Sequence, residues 1–386
     1  MFEALRASDR YRVRRIVTPL DATHVEWQGR RLVNFASNDY LGLSHHPSII
    51  AAAARAAQEQ GAGSGASPLI SGYGPLHARA EQCLARWKGA EGAVLLPSGY
   101  QANHAAVQAL AAGAKAAARP IRFLLDKLCH ASLIDAVRGT GAAFRVFPHN
   151  QLAKLARLLS DADPSELQVV LTESIFSMDG DAADLVGLAR LKSERPVTLL
   201  LDDAHSTGAY GAAGRGLAHE LGLPDVADVA VVTLSKAAGS SGGAVCGSAL
   251  FCEAVVNLAR AYIYSTSVAP STAAAAEAAV NVMSEEPHRQ RRVRELARRV
   301  RSELKRSGLE IPPGDSPIIP VILGAEAAAL GAAETLAGLG ILALAIRPPT
   351  VPRGASRLRV TLSCEHSDDE VEQLVRALCG LAGSRA

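Results

Sequence analysis

The chain lacks several features that would settle its class at once. It has no strong excess of one charge: 40 Lys and Arg against 38 Asp and Glu leave a formal net charge of +2 over 386 residues. So small an excess offers no electrostatic footprint for nucleic acid. No apolar run is long enough to span a bilayer, and Met1-Phe2-Glu3-Ala4-Leu5-Arg6 lacks the apolar core of a signal peptide. Cys83, Cys129, Cys246, Cys252, Cys364 and Cys379 are scattered, without CxxC pairs or zinc-type spacing. They read as reduced thiols acting as small hydrophobes, which points to the cytoplasm and to no metal site. Internal repeats and low-complexity linkers are absent. Lysine is scarce, at seven residues, so a lysine placed at a special position stands out.

What the sequence does have is alternation. Short apolar runs recur at Val94-Leu95-Leu96, Arg122 to Leu125, Phe144 to Phe147, Val169 to Thr172, Val197 to Leu201, Val229 to Leu234, and Ala244 to Leu250. Between them lie helix-period stretches such as Leu152, Leu155, Leu158 and Leu159. This pattern predicts an α/β large domain, with a mostly parallel seven-stranded sheet flanked by helices on both faces. Around Pro270 the texture changes. An alanine-rich helix (Ala273 to Val282) leads into an arginine-rich one, and short strands come next at Ile318 to Ile322 and Arg357 to Leu362. The expectation is an amino-terminal arm over 1–45, a large domain over 46–270 and a smaller α+β domain over 271–386. Arg289, Arg291, Arg292, Arg294, Arg298, Arg299 and Arg301 recur on one side of that helix, with Val293, Leu296 and Val300 on another. They read as a solvated face. Ser367 with Glu370 three residues on reads as the capping box of a closing helix.

The strand ends carry the chemistry. Val197 to Leu201 ends in Asp202-Asp203-Ala204-His205, and Val229 to Leu234 ends in Ser235-Lys236 before Gly239-Ser240-Ser241-Gly242-Gly243. Open α/β sheets build their sites at the carboxyl ends of such strands. A carboxylate, a histidine and a lysine delivered there are what pyridoxal phosphate (PLP) needs: a pyridinium partner, a partner for the ring oxygen and a Schiff-base amine. Asp202 or Asp203 could alternatively cap the next helix. For the phosphate, Ser98, Gly99 and Tyr100 succeed a strand and open a helix, offering backbone N–H groups and hydroxyls. Thr233 offers a further hydroxyl, and His130, after another strand, could lie flat on the ring. Two other motifs are set aside. Gly61-Ala62-Gly63-Ser64-Gly65-Ala66 comes after a helix rather than a strand, so it is no dinucleotide fingerprint. Gly239 to Gly243 spells GxSxG, the motif of a serine hydrolase with Ser241 as nucleophile. The next segment, Ala244-Val245-Cys246, reads as a strand, whereas a nucleophile elbow enters a helix.

Longer stretches are similar to a known family: Asn34-Phe35-Ala36-Ser37-Asn38-Asp39-Tyr40-Leu41-Gly42-Leu43, Ser71-Gly72-Tyr73, Ser98 to Asn103, Glu173 to Asp181, Asp202 to Gly208, Tyr264-Ser265-Thr266-Ser267 and Arg357 to Leu362. Together they resemble the α-oxoamine synthases, a fold-type I family of PLP-dependent transferases. Its members condense an amino acid with an acyl thioester and release carbon dioxide. Ile346-Arg347-Pro348-Pro349-Thr350-Val351-Pro352 is most similar to the branch that joins L-alanine to a pimeloyl thioester in biotin biosynthesis. Relatives that use glycine or serine with another acyl-CoA are the alternative, as is a lysine-less, non-catalytic partner subunit, against which Lys236 itself argues. The resemblance implies Lys236 as cofactor tether and base, Asp202 and His205 as ring partners, and His130 stacked on the ring. It places Ser177 on the ring's phenolic side and Ser98, Gly99, Tyr100 and Thr233 around the phosphate, with Ser265 and Thr266 contributed by a second subunit of a homodimer. Arg359 and Asn38 would bind the amino-acid substrate, with Arg12 or Arg14 as an amino-terminal substrate arginine. The acyl carrier, coenzyme A or acyl carrier protein, stays open. In place of the family's usual glycine and basic residue, this chain has Ala66-Ser67-Pro68-Leu69-Ile70, near where relatives hold the acyl group.

Overall fold

The computed structural model describes residues 2–161 and 163–383. The chain divides into two compact units. The larger comprises His46–Phe176 and Ala182–Pro287, and the smaller comprises the arm up to His45, the short Ser177–Asp181 segment and the chain from His288 onward. The observed division departs from the expected boundary at 270: the alanine-rich helix Pro270–Glu285 groups with the larger unit. It packs there on helices Pro47–Gln60 and Pro75–Lys88.

The larger unit holds one seven-stranded sheet: β1 (Gly92–Leu96), β2 (Ile121–Asp126), β3 (Ala143–Phe147), β4 (Leu167–Glu173), β5 (Val197–Asp202), β6 (Val229–Thr233) and β7 (Gly243–Gly247). Their order is β1-β7-β6-β5-β4-β2-β3, and only β7 runs antiparallel to its neighbours. All seven expected strands are present. The last ends early, because the Ser248 side chain accepts from Phe251 N and caps the helix Ala249–Leu258.

The period of a strand explains why these runs are apolar throughout. Phe123 and Leu125, Val169 and Leu171, and Leu200 join one core layer, with helices Gly99–Ala116 and Ala131–Thr140 above them. Their alternates Leu124, Val170, Leu199 and Leu201 join the opposite layer, against Leu155, Leu185 and Leu217. Strands buried on both faces carry no polar alternation.

In the smaller unit, hairpin His24–Trp27/Arg30–Asn34 turns through Gln28 and Gly29, both at positive φ (52° and 71°). A three-stranded antiparallel sheet combines Ile318–Gly324, Ser356–Thr361 and Leu344–Ile346. The arginine-rich helix spans Pro287–Arg306 and buries Val293, Leu296 and Val300. Arg301 departs from the expected solvated face: it is buried and donates from Nη1 to Ser316 O and from Nη2 to Ile318 O, each at 2.6 Å. Two carbonyls at the entry to a strand take its charge. The expected capping box is formed, with Glu370 N donating to Ser367 Oγ at 3.2 Å and Ser367 N to Glu370 Oε2 at 2.7 Å.

Candidate active site

The carboxyl ends of β1, β2, β4, β5 and β6 surround a cavity of about 240 Å³. Ser98, Gly99, Tyr100, Asn103, His130, Ser132, Glu173, Asp202, His205, Thr233, Ser235 and Lys236 are among its lining residues. Eight of these were expected from the sequence. β6 ends at Thr233, and the chain then makes a closed loop: Leu234 N donates to Gly242 O, Ser240 N to Leu234 O, and Gly239 N to Lys236 O. That loop holds Lys236 half-buried between the buried Leu234 and Ala237. Lys236 Nζ lies 2.9 Å from His205 Nε2. Asp202, at the end of β5, is buried, and its Oδ1 accepts from Ala204 N at 2.9 Å while Oδ2 accepts from Asn103 Nδ2 at 2.7 Å.

His130 is the N-cap of helix Ala131–Thr140. The preceding turn is fixed by buried Asp126, which accepts from Leu128 N, Asn150 N and His149 Nδ1, each at 2.9 Å. Partial withdrawal from water lowers the His130 pKa, with Asp202 opposing the shift and Lys236 adding to it. The imidazole is therefore neutral at neutral pH. Its Nδ1 lies 2.7 Å from Ser132 Oγ, which accepts from Asn103 Nδ2 at 2.9 Å. A hydrogen-bonded chain through buried Ser132 and Asn103 thus joins His130, at the surface, to buried Asp202.

Ser132 and Asn103 were not assigned roles from the sequence. A buried asparagine inside an alanine-rich helix was the available signal, since Asn gains nothing there unless its amide is used.

The glycines answer whether a phosphate-sized group fits. A Cβ at Gly99 would meet Thr233 Oγ1 at 3.1 Å, and one at Gly243 would sit 2.7 Å from Gly99 N and Cα. Only glycine allows β6, β7 and the helix start to approach this closely. The first turn of helix Gly99–Ala116 then meets Thr233 Oγ1 and Ser235 Oγ, which are 3.0 Å apart. Ser98 Oγ caps that helix by accepting from Gln101 N. N–H groups at a helix start beside hydroxyls suit a phosphate, and the lysine, carboxylate and histidine suit the rest of a PLP molecule. Tyr100 lies at this helix start and donates its hydroxyl to Asp135 Oδ2 at 2.9 Å.

The remaining expected residues are not among those that line the cavity. In the smaller unit, buried Arg359 donates from Nε to Ser177 O at 2.6 Å and from Nη1 to Asn38 Oδ1 at 3.0 Å. Those three expected residues form one cluster. Arg12 is exposed and donates to Thr350 Oγ1 at 3.2 Å, which ties the arm to the Ile346 to Pro352 segment; Arg14 is also exposed. Ser265 and Thr266 succeed the short helix Arg260–Ile263 and are not among the cavity's lining residues. Ser241 is exposed, and strand β7 rather than a helix comes after it, so the elbow geometry of a hydrolase is missing.

A family model for aminotransferase class I and II matches residues 30–378. The chain is 41% identical over 382 residues to the 8-amino-7-oxononanoate synthase of Alkalilimnicola ehrlichii, covering 98% of this chain and 96% of that protein. The chain belongs to the α-oxoamine synthases of that aminotransferase family. Solved structures agree. Serine palmitoyltransferase of Sphingomonas wittichii superposes with a TM-score of 0.92 at 28% identity, covering 99% of this chain and 95% of that one. A structure of SPT with PLP gives 0.90 at 27% identity, covering 96% and 92%. As an α-oxoamine synthase the chain has the fold-type I architecture: a large unit with a mostly parallel seven-stranded sheet and a smaller unit. No helix among the described residues is long and apolar enough to cross a membrane. Nor do the described residues gather His, Cys, Asp or Glu into a group fit to hold a metal ion.

Proposed function

We propose that this α-oxoamine synthase joins L-alanine to a pimeloyl thioester with loss of carbon dioxide, giving 8-amino-7-oxononanoate and the free thiol carrier. The observation that carries the reading is Lys236 Nζ at 2.9 Å from His205 Nε2, in one cavity with buried Asp202. PLP is the cofactor, tethered to Lys236, and when bound it supplies an electron sink for the pair released at the amino-acid α-carbon.

The chain's own residues do the rest. Asp202 would hold a proton at the cofactor's ring nitrogen, and Asn103 and the Ala204 N–H fix which way its oxygens face. His205 would serve the cofactor's phenolic oxygen. Neutral His130, oriented by Ser132, would help hold the cofactor's ring. Ser98, Gly99, Tyr100 and Thr233 would hold the phosphate. The resemblance gives the substrate carboxylate to Arg359, a bidentate task that suits a guanidinium fork oriented by Asn38 and the Ser177 carbonyl. Lys236 removes the alanine α-proton. The α-carbon then bonds to the thioester carbonyl carbon and the thiolate leaves, taking a proton from water; the alanine carboxylate departs as carbon dioxide, and the electron pair it leaves at the α-carbon takes back the proton held on Lys236.

We further propose a cytoplasmic homodimer. Ile70 (81% exposed) and Tyr264 (72%), with exposed Leu69, Tyr73 and Tyr100, give the larger unit an apolar surface that a second copy would cover, bringing Ser265 and Thr266 to its partner's phosphate site. All six cysteines are free, which supports a reducing compartment.

The test incubates purified protein with L-alanine, glycine or serine and with pimeloyl-CoA or a pimeloyl carrier protein. The ketone is then identified by mass. Alanine with a pimeloyl donor should give the fastest turnover, and a clear preference for glycine or serine would overturn the assignment.

A further inference from the structure

Lys88 and Asp203 form a buried ion pair that the reaction as described does not use. Asp203 is next to Asp202, so its side chain leaves the opposite side of the chain. It lines a separate cavity of about 180 Å³, together with Lys88 and His219. Lys88 Nζ lies 2.5 Å from Asp203 Oδ2, with side chains only 5% and 1% exposed. It also donates to Arg215 O.

We infer that Lys88 and Asp203 are positioning residues for the reaction, clamping from behind the turn that presents Asp202 and His205. This inference rests on the proposed function. A continuous chain of contacts supports it. Asp203 Oδ1 accepts from Ser206 Oγ at 2.8 Å, and Ser206 Oγ accepts from Ser174 Oγ at 2.8 Å. Ser174 N donates to Asp202 O at 2.9 Å. The clamp therefore closes on the backbone of the very residue that meets the cofactor's ring nitrogen.

Asp203 N donates to Val231 O at 2.8 Å, which registers the same turn against β6, the strand that leads to Lys236. Gly216, at φ +106°, seals the cluster: a Cβ there would come within 3.1 Å of both Lys88 Nζ and Ser206 Oγ. Ser174 and Ser206 are fully buried, so the linkage has no slack of solvent. Stability alone is a weak reason to bury a lysine here, because apolar side chains of similar volume commonly serve as well as a buried pair. A lysine at the carboxyl end of helix Pro75–Lys88 that reaches both Asp203 and the Arg215 carbonyl instead anchors two loops to one helix.

The experiment compares holoenzyme variants Lys88→Met, Asp203→Asn and the double variant. Three readings are taken: the thermal midpoint, kcat and KM for alanine, and the pH titration of the visible absorbance of the cofactor on Lys236. Each single variant should lower the midpoint and cut kcat by about tenfold to a hundredfold, with the KM for alanine changing far less. The double variant buries no unpaired charge, so it should regain most of the midpoint while keeping the kcat loss and a displaced absorbance titration. Should a single variant not fold, the double variant carries the test. A double variant with wild-type kcat and wild-type titration would overturn the inference. The absorbance titration needs no acyl donor, so it reads positioning separately; a wild-type enzyme that makes no ketone counts against the proposed function instead.

Discussion

His366 makes the stability of this protein depend on mild acid in a calculable way. It is buried in the smaller unit, its ring stacked on Phe35 at 4.1 Å between centroids, with Nδ1 accepting from Ser363 N at 2.9 Å. Burial, the dominant cause, holds its pKa down at about 4. An unfolded histidine titrates near 6.5. Folded pKa below unfolded pKa means that the unfolded chain binds more protons over that window. Stability is therefore intact above about pH 6.5 and is lost progressively as pH falls toward 4. Roughly 2.5 pKa units at 1.36 kcal/mol each give a full loss of about 3 kcal/mol, with about 2 kcal/mol already gone at pH 5. The assay is urea unfolding of wild type and His366→Asn at pH 7 and pH 5. Asparagine keeps an acceptor for Ser363 N but cannot titrate. The variant starts lower because it loses the ring stack, yet it should lose about 2 kcal/mol less than wild type between the two pH values. Equal losses in the two proteins would refute the reasoning.

Three further outcomes are expected. Gly243→Ala puts a methyl group 2.7 Å from the Gly99 backbone and should weaken PLP binding by about tenfold or more, since overpacking costs on the order of 1–3 kcal/mol; a PLP titration of the apo form that matches wild type would contradict the cradle. Ser367→Ala removes the acceptor for Glu370 N and should cost about 1 kcal/mol in chemical denaturation, so an unchanged midpoint would count against the capping box. Because His130 has a lowered pKa, its ring stays neutral to below the usual histidine range; the acid limb of kcat/KM that His130→Gln abolishes should lie below pH 6.5, and a His130-dependent limb above that value would oppose the account.

The sheet was legible because parallel strands buried on both faces leave unbroken apolar runs, and each run found became a strand. The antiparallel direction of β7 was not legible, since Ala244 to Cys246 reads the same in either direction. Lys236, Asp202 and His205 could be paired from sequence because each lies at, or three residues beyond, the carboxyl end of a strand. Asn103 and Ser132 could not, because their value lies in bridging two helix starts that are far apart in the chain. Arg301 looked like the other arginines of its helix, because the Ser316 and Ile318 carbonyls that it meets leave no mark in the helix's own pattern. Ser177 is expected beside the cofactor on its motif, and that its carbonyl also accepts from Arg359 was not legible. A backbone acceptor leaves no trace in residue identity.

The most direct test of the central claim is turnover by Lys236→Ala, measured as ketone formed from L-alanine and a pimeloyl thioester, with the visible absorbance recorded on the same sample. The account predicts a folded protein with no ketone and without the absorbance of a lysine-bound cofactor. Ketone at the wild-type rate from that variant would contradict it.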